Sequence, residues 1–389
     1  MNHFLTEEQQ MIRDTAREIA VKKIKPVALE YDEKNVFPWE IQKVIADAGL
    51  FGVYIEQTYG GMIDPAESKG IMNLVIAVEE LSKACGGISL CLAATALGTI
   101  PIALFGNEQQ KQKYLPDLAS GKKVAAFGLT EAGAGSDAGS IQTTARKDGA
   151  FYILNGTKQW ITNGHEAETY SIVAITDKSK GARGASAFIL EKGMHGFTFG
   201  KKEDKMGIRA SSTYELVFED CKVPAANLLG KEGQGFVVAM KTFDMSRPGV
   251  AAQALGIAAG ALDDAVEYAR TRQQFGKPIV ANQGLRFLLA DMSIKVETAR
   301  AIVYAVARSI DSGDLKCAKE SAVAKCYASD VAMAVTTDAV QVFGGYGYMK
   351  EYPMEKRMRD AKITQIYEGT NQIQRDVIGL QLVKESASE

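Results

Sequence analysis

The stretch "LRFLLADMSIKVETARAIVYAVARSI", residues 285–310, carries apolar side chains at Leu285, Leu289, Met292, Val296, Ala299, Val303, Val306 and Ile310. The steps between them are fours and threes for about seven turns, the spacing of one face of an α-helix. A seam so long and unbroken needs partners along its length, which places the helix in a bundle. Helical patterning extends on both sides of it, from Gly233 onward. Before Gly233 the character is different. "VAAFGLT", "IQTTARK", "AFYILNG", "TYSIVAIT", "ASAFILE" and "TYELVFEDCKV" are short, rich in β-branched and aromatic residues, and punctuated by "KDG", "NG" and "KG". Such runs read as strands joined by turns, and predict a small antiparallel barrel or sandwich.

The pattern turns helical again upstream of Val124. Thr6 with Gln9 fits a capping box, and Ile12, Ala16, Ile19 and Ala20 share one helical face. "FPWEIQKVIADAGLFG", residues 37–52, reads as a helix started by Pro38 and closed near Gly49. "MNLVIAVEELSKACGGISLCLAATALGTIPIALFG", residues 72–106, is small and apolar, the mark of buried helices in close contact. The expected fold is therefore a multidomain α+β chain. It has an N-terminal α-helical domain at 1–122, a middle antiparallel β-domain at 123–232 and a C-terminal four-helix bundle at 233–389.

Composition narrows the function. Of 389 residues 46% are hydrophobic and 24% charged, with net charge −2, which gives no electrostatic case for nucleic acid or an anionic membrane. No apolar run approaches the ~20 residues of a spanning helix. The five cysteines, Cys85, Cys91, Cys221, Cys317 and Cys326, form no CxxC pair and no metal spacing with the three histidines. They read as reduced thiols with no metal, and the N-terminus opens directly into an amphipathic helix, so no signal peptide and a cytoplasmic protein are expected.

Several segments are odd for purely structural ones. "FGLTEAGAGSD", residues 127–137, follows a strand and is either a flexible turn or a backbone laid against a flat or phosphorylated ligand. It is not a GxGxxG or Walker motif. "KQWITNG", residues 158–164, puts one of two tryptophans at a strand end, as core or as cofactor wall. "YARTRQQFGKPIVANQ", residues 268–283, is either a solvated helix end or a grip on phosphates and an aromatic base. "DAVQVFGGYGY", residues 338–348, ends a helix in two glycines where a simple cap needs one. In "ITQIYEGTNQIQR", residues 363–375, Glu368 sits between an aromatic ring and a glycine, as a cap acid or as a buried base.

In this order and at these separations the five segments resemble the acyl-CoA dehydrogenases, over nearly the whole chain. The resemblance implies FAD lying between the β-domain and the bundle. Phe127, Leu129, Thr130, Gly135 and Ser136 would line it, with Trp160, Ile161 and Thr162 beside the flavin ring. Arg272, Gln274, Phe275, Ile279, Gln283, Gln341, Gly344 and Gly345 would belong to the neighbouring subunit's flavin site, and Thr370 and Gln372 would complete the first. That sharing implies at least a dimer, and in this family usually a homotetramer built as a dimer of dimers. An electron transfer flavoprotein is the implied electron acceptor.

By the same resemblance Glu368 is the base that takes an α-proton from an acyl-CoA while a β-hydride passes to FAD. Its own backbone N–H would stabilise the enolate oxygen, flanked by Tyr367 and Gly369. Ser136, Phe243, Asp244 and Arg247 match positions contacting CoA. One branch of the family carries its base on a bundle helix, but the matching position here is Ser246, which leaves Glu368. The helix at 86–106 would line the acyl pocket, and Ala93–Ala96 stand where many relatives have a histidine. Cys91 and Met245 are further candidates for that lining. The substrate implied is a short acyl chain, straight, branched or cyclic. An enoyl-CoA reductase, an oxygen-using oxidase or hydroxylase and a DNA-binding relative are the competing readings.

Overall fold

A computed structural model describes residues 4–314 and 316–387. The extreme ends of the first and third regions, and position 315, lie outside the described residues. In the first region, α1 (Glu7–Ile19) opens with the Thr6–Gln9 capping box and buries Ile12, Ala16 and Ile19. The chain then winds through a short π and 3₁₀ stretch around Pro26 into α2 (Ala28–Lys34), a helix the sequence pattern did not single out. α3 (Trp39–Asp47) starts after Pro38 and stops before Gly49, whose φ of +76° suits glycine. α4 (Ile71–Ala84), almost wholly buried, packs between α1 and the third region. α5 (Leu90–Phe105) lies against the sheet at Gly98, where a Cβ would stand 2.7 Å from the Ala126 backbone nitrogen. α6 (Glu108–Ala119) closes the region.

The middle region holds eight strands: β1 (Ala125–Gly128), β2 (Thr144–Asp148), β3 (Phe151–Thr162), β4 (Thr169–Ile175), β5 (Ala185–Glu191), β6 (Phe197–Lys202), β7 (Thr213–Pro224) and β8 (Leu228–Leu229). Their order is β6-β7-β3-β2-β4-β5-β8, with β1 also on β4. The sheet is mixed, which corrects the antiparallel expectation. β1 and β4 run parallel (Ala125 opposite Thr169), and β2 meets β4 in parallel at Thr144 and Ile175. The β2–β3 hairpin intervenes between β1 and β4, so the chain comes back beside β1 in the same direction. The Asp148–Gly149 turn forms that hairpin. The Asn155–Gly156 pair, read as a turn, instead lies inside β3. Gly156 makes a bulge there, at φ +143°, and a Cβ would strike Thr143 at 2.6 Å.

The third region holds five α-helices among its described residues. α7 (Gly235–Thr271) and α8 (Gln283–Asp311) flank the small hairpin β9 (Gln273–Gln274)–β10 (Lys277–Pro278). α9 (Ala318–Phe343), the short α10 (Met354–Thr364) and α11 (Asn371–Ser386) follow. The seam of α8 is buried from Leu289 to Ile310, with Leu285 half-buried at its start. α7 packs most extensively on α9 and α4, so it joins the bundle to the first region. No described helix is long and apolar enough to cross a membrane.

Candidate active site

α5, the sheet, α7 and the α10–α11 loop enclose a cavity of about 450 Å³, a size suited to a small organic ligand. α5 lines it with Leu90, Ala93, Ala94, Ala96, Leu97 and Ile100. Neither Cys91 nor Met245 is among the lining residues, and both are simply buried, which corrects that expectation. Thr95 is also turned away, its hydroxyl donating to the Cys91 carbonyl one helical turn back at 2.7 Å.

The middle region contributes Phe127 from β1, Leu129, Thr130, Gly135 and Ser136 from the loop after it, and Trp160, Ile161 and Thr162 from β3. Two local devices set this wall. The pairing of β3 with β7 slips between Lys158 and Ile161, and Trp160 adopts φ +59°, so the bulge leaves its indole 54% exposed. The fully buried Lys158 ammonium donates to the Leu129 carbonyl at 2.9 Å and to Glu131 Oε1 at 2.7 Å. The Glu131 carboxylate in turn accepts from the N–H groups of Gln142 (2.6 Å) and Thr143 (2.9 Å), tying both ends of the 129–143 loop together. Burial pushes the Lys158 amine down to about 8, against the pull of Glu131. A Cβ on Gly133 or Gly135 would meet nothing within 4 Å, and neither has positive φ. The chain itself gives these two glycines no reason to lack side chains.

On α7, Pro248 has no N–H, which frees the Asp244 carbonyl in mid-helix. The Ser321 hydroxyl of α9 donates to that carbonyl at 2.7 Å. This turn presents Phe243, Ser246 and Arg247 to the cavity. Arg247 is buried, 5.9 Å over the Phe243 ring and 3.5 Å from Asp244, and its Nε has no partner among the described residues. Burial lowers its pKa in spite of Asp244 and Glu368 nearby. Asp244, expected among the substrate contacts, does not line the cavity; its carboxylate is directed at Arg247 and Lys241.

Glu368 sits in the loop between α10 and α11 at φ +51°, a conformation costly for a non-glycine residue and typical of functional sites. Three side chains hold the loop there. The buried Lys325 ammonium donates to the Gly369 carbonyl (2.7 Å) and to Asn371 Oδ1 (3.0 Å). Gln374 Nε2 donates to the carbonyls of Glu368 (3.1 Å) and Gly369 (2.9 Å), and Asn371 is tied to Ser329 and Asp330. The Glu368 N–H finds no acceptor among the described residues. Its carboxylate Oε2 accepts from Ser246 Oγ at 2.5 Å. Burial raises its pKa, opposed by the Ser246 hydrogen bond and by the cations Arg247 and Lys325. Tyr367 donates its hydroxyl to Gln253 Oε1, and Gln253 Nε2 donates to the Gly86 carbonyl.

Tyr367, Glu368 and Gly369 thus share one cavity with these eight residues of the middle region, Phe243 and Arg247. A second group lies elsewhere. Arg272 caps α7 with its guanidinium 5.2 Å over Tyr346, and Gln274 and Phe275 sit on the β9–β10 hairpin. Ile279 and Gln283 lead into α8, while Gln341, Gly344 and Gly345 end α9. None of these eight lines the cavity. Phe275 is 96% exposed at φ +52°, and Gly344 takes φ +60°, ψ −137°, a region open to glycine alone. Thr370 caps α11 by accepting from Ile373 N–H, and Gln372 points outward to solvent. The sequence reading missed Lys325, Gln374 and Gln253, and the contact of Ser246 with Glu368. A lysine inside the alanine-rich run "SAVAKCYAS" was the signal available for Lys325.

Three family models cover the chain: "Acyl-CoA dehydrogenase, N-terminal domain" at 6–122, "middle domain" at 126–221 and "C-terminal domain" at 233–383. It is 51% identical over 386 residues to the "Acyl-CoA dehydrogenase, short-chain specific" of Megasphaera elsdenii, covering 99% of this chain and 100% of that protein. It is 48% identical over 386 residues to the "Acryloyl-CoA reductase (NADH)" of Anaerotignum propionicum, covering 99% and 96%. Among solved structures, the butyryl-CoA dehydrogenase of M. elsdenii superposes with TM-score 0.94 at 51% identity, covering 97% and 99% of the two chains. A chain in a structure described as "Electron transferring flavoprotein of Acidaminococcus fermentans" gives TM-score 0.94 at 54% identity, covering 97% and 98%. An acyl-CoA dehydrogenase of Bacillus anthracis complexed with FAD gives 0.90 at 35%, covering 99% and 68%. The chain belongs to the acyl-CoA dehydrogenase family and is an FAD-dependent oxidoreductase acting on a CH–CH bond.

Proposed function

We propose that this enzyme oxidises a short-chain acyl-CoA to its trans-2-enoyl-CoA, with Glu368 removing the α-proton. One observation carries the reading: a carboxylate made more basic by burial, on a strained loop pinned from behind, in the wall of the cavity. An α-proton beside a thioester is a weak acid, so its removal needs a positioned base and a donor for the enolate oxygen. The unpaired N–H of Glu368 is the donor this loop offers. Ala93, Ala94 and Leu97 leave room for a short chain. Leu90 and Ala94 also pack with Ile208, Ile363 and Tyr367 in a small apolar cluster beside the cavity. The short-chain and butyryl names of the relatives support the same reading.

The residues present fit FAD. The half-exposed indole of Trp160 offers a flat face, and the 129–143 loop has room at Gly133 and Gly135 for close approach of a ligand. Phe127, Leu129, Thr130, Gly135, Ser136, Trp160, Ile161 and Thr162 would hold it, with Thr370 and Gln372 beyond the cavity. When bound, FAD supplies the acceptor for the β-hydride. Arg247 would face the CoA moiety with an Nε that has no partner among the described residues, and Asp244, outside the cavity, would hold the guanidinium in place. Arg272, Gln274, Phe275, Ile279, Gln283, Gln341, Gly344 and Gly345 would complete the flavin site of a second subunit. Support comes from Phe275, an aromatic ring left almost wholly in solvent by its own chain. A homotetramer arranged as a dimer of dimers, division of the chain at 122/123 and 232/233, electron transfer flavoprotein as acceptor and a cytoplasmic location complete the proposal.

The acryloyl-CoA reductase relative favours a second reading, net reduction of an enoyl thioester, in which Glu368 returns the proton to the α-carbon. A panel of straight, branched and cyclic acyl-CoAs with an artificial acceptor tests the first. Butyryl-CoA should lead over octanoyl-CoA by about a thousandfold, since each of the four extra methylenes left in an incompatible site costs ~1 kcal/mol or more. Equal turnover of long chains would overturn the short-chain assignment.

A further inference from the structure

Glu368 is faced from three sides. From α7 come Ser246 and Arg247, with Asp244 behind them; from α9 comes Lys325; on its own loop stands Tyr367. Of these groups only Ser246 has a hydrogen bond to the carboxylate among the described residues, its Oγ standing 2.5 Å from Oε2. Arg247 lies nearest to Asp244, and the Lys325 ammonium is engaged by Gly369 and Asn371. The tyrosine hydroxyl is given to Gln253. Ser246 itself is buried and is fixed on the turn where Pro248 frees the Asp244 carbonyl for Ser321. The arrangement leaves Oε1 as the oxygen without a hydrogen bond, in a group that lines the cavity.

We propose that Ser246 is a positioning residue that holds Glu368 by Oε2, keeps it ionised between turnovers and turns Oε1 toward the α-proton. The inference rests on Glu368 being the base. A hydroxyl can donate to a carboxylate but gains little from a protonated acid whose own O–H needs an acceptor, so the bond favours the charged form. Removing it leaves a buried carboxylate with only the more distant Arg247 and Lys325 to offset its desolvation. Glu368 would then be protonated at higher pH, and a protonated acid takes no proton.

The test compares wild type with Ser246→Ala, Ser246→Cys and Ser246→Thr, each as FAD-loaded enzyme, by anaerobic flavin reduction with butyryl-CoA between pH 5 and 9. In Ser246→Ala the acid limb of the rate should move up by about one pH unit, the scale of one hydrogen bond to a charged group. The deficit should be about tenfold at low pH and shrink as pH rises. Ser246→Thr keeps the donor and should restore the wild-type limb, while the weak thiol donor of Ser246→Cys should fall between. If Ser246→Ala does not fold, the Cys and Thr variants decide the matter alone. A readout free of turnover is the infrared carboxylate band, taken as the difference from Glu368→Gln and titrated without substrate; it should move in the same order. Superimposable pH profiles, or a loss that is equal at every pH and is not restored by threonine, would reduce Ser246 to packing and overturn the proposal. Failure of the base assignment itself reads differently, as a Glu368→Gln enzyme that still reduces its flavin.

Discussion

Replacing Lys325 with methionine should separate the position of the catalytic loop from its stability. The ammonium donates to the Gly369 carbonyl at 2.7 Å and to Asn371 Oδ1 at 3.0 Å. Two hydrogen bonds from a charged donor are worth about 3–6 kcal/mol. Against this stands the cost of burying the amine, which pushes its pKa from 10.5 down to about 8, equivalent to about 3 kcal/mol. Neither acceptor is orphaned in the variant, because Gly369 keeps Gln374 and Asn371 keeps Ser329. The net loss should therefore be about 0–3 kcal/mol, a modest fall in Tm. The rate should suffer more, since among the described residues no other α9 side chain bonds the strained Glu368–Gly369 pair directly, Ser329 and Asp330 acting only through Asn371, and a displacement of about 1 Å can cost about a hundredfold. The pH dependence carries a sign. The folded-state pKa of Lys325 lies below the unfolded one, so between pH 8 and 10.5 the folded protein binds fewer protons than the unfolded chain. Wild-type stability should accordingly rise across that window relative to Lys325→Met. The assay is thermal unfolding from pH 7 to 10 alongside kcat for butyryl-CoA. A fall of more than about 10 °C in Tm with kcat intact would refute the reasoning and make Lys325 a purely structural residue.

Glu131→Gln strips the buried Lys158 ammonium of its counter-charge, and breaking such a pair costs about 3–5 kcal/mol; thermal unfolding with a count of FAD per chain should show both lowered, and unchanged FAD content would detach the 129–143 loop from flavin binding. Arg272→Ala should weaken FAD retention about tenfold to hundredfold, the loss of one charge-assisted hydrogen bond, with little change in folding. Equal FAD affinity in that variant would return Arg272 to a solvated helix end stacked on Tyr346. In wild type the reaction should fade as pH falls through the raised pKa of Glu368, and a rate flat down to the ordinary carboxylate range would contradict the effect of burial.

What the sequence made legible was what is local. The apolar seam from Leu289 to Ile310, the Thr6–Gln9 cap and the Asp148–Gly149 turn depend on spacings of a few residues, and each appears as read. The parallel pairing of β1 with β4 joins residues more than forty apart, and no periodicity along one strand encodes its neighbour's direction. β6 was overlooked because "FTFGKK" is short and carries Gly200, a weak strand signal. At the site, motif resemblance located the loop of Glu368 but not its supports. Ser246 lies 122 positions away and Lys325 lies on another helix, so both act through tertiary contacts. The amide-rich run after Glu368 held a partial clue. Gln372, singled out for the cofactor, faces solvent, while Asn371 and Gln374 turn inward and hold the loop.

The central claim is tested most directly by Glu368→Gln, loaded with FAD and mixed rapidly and anaerobically with butyryl-CoA. Glutamine keeps the size of the side chain and can still accept from Ser246, so folding, FAD content and thioester binding should survive. It cannot take the α-proton, and a positioned base contributes about a hundredfold to ten-thousandfold. The account predicts that the flavin stays yellow over the time in which wild type bleaches. Bleaching within about threefold of the wild-type rate, far less than a lost base should cost, would show that Glu368 is not the base.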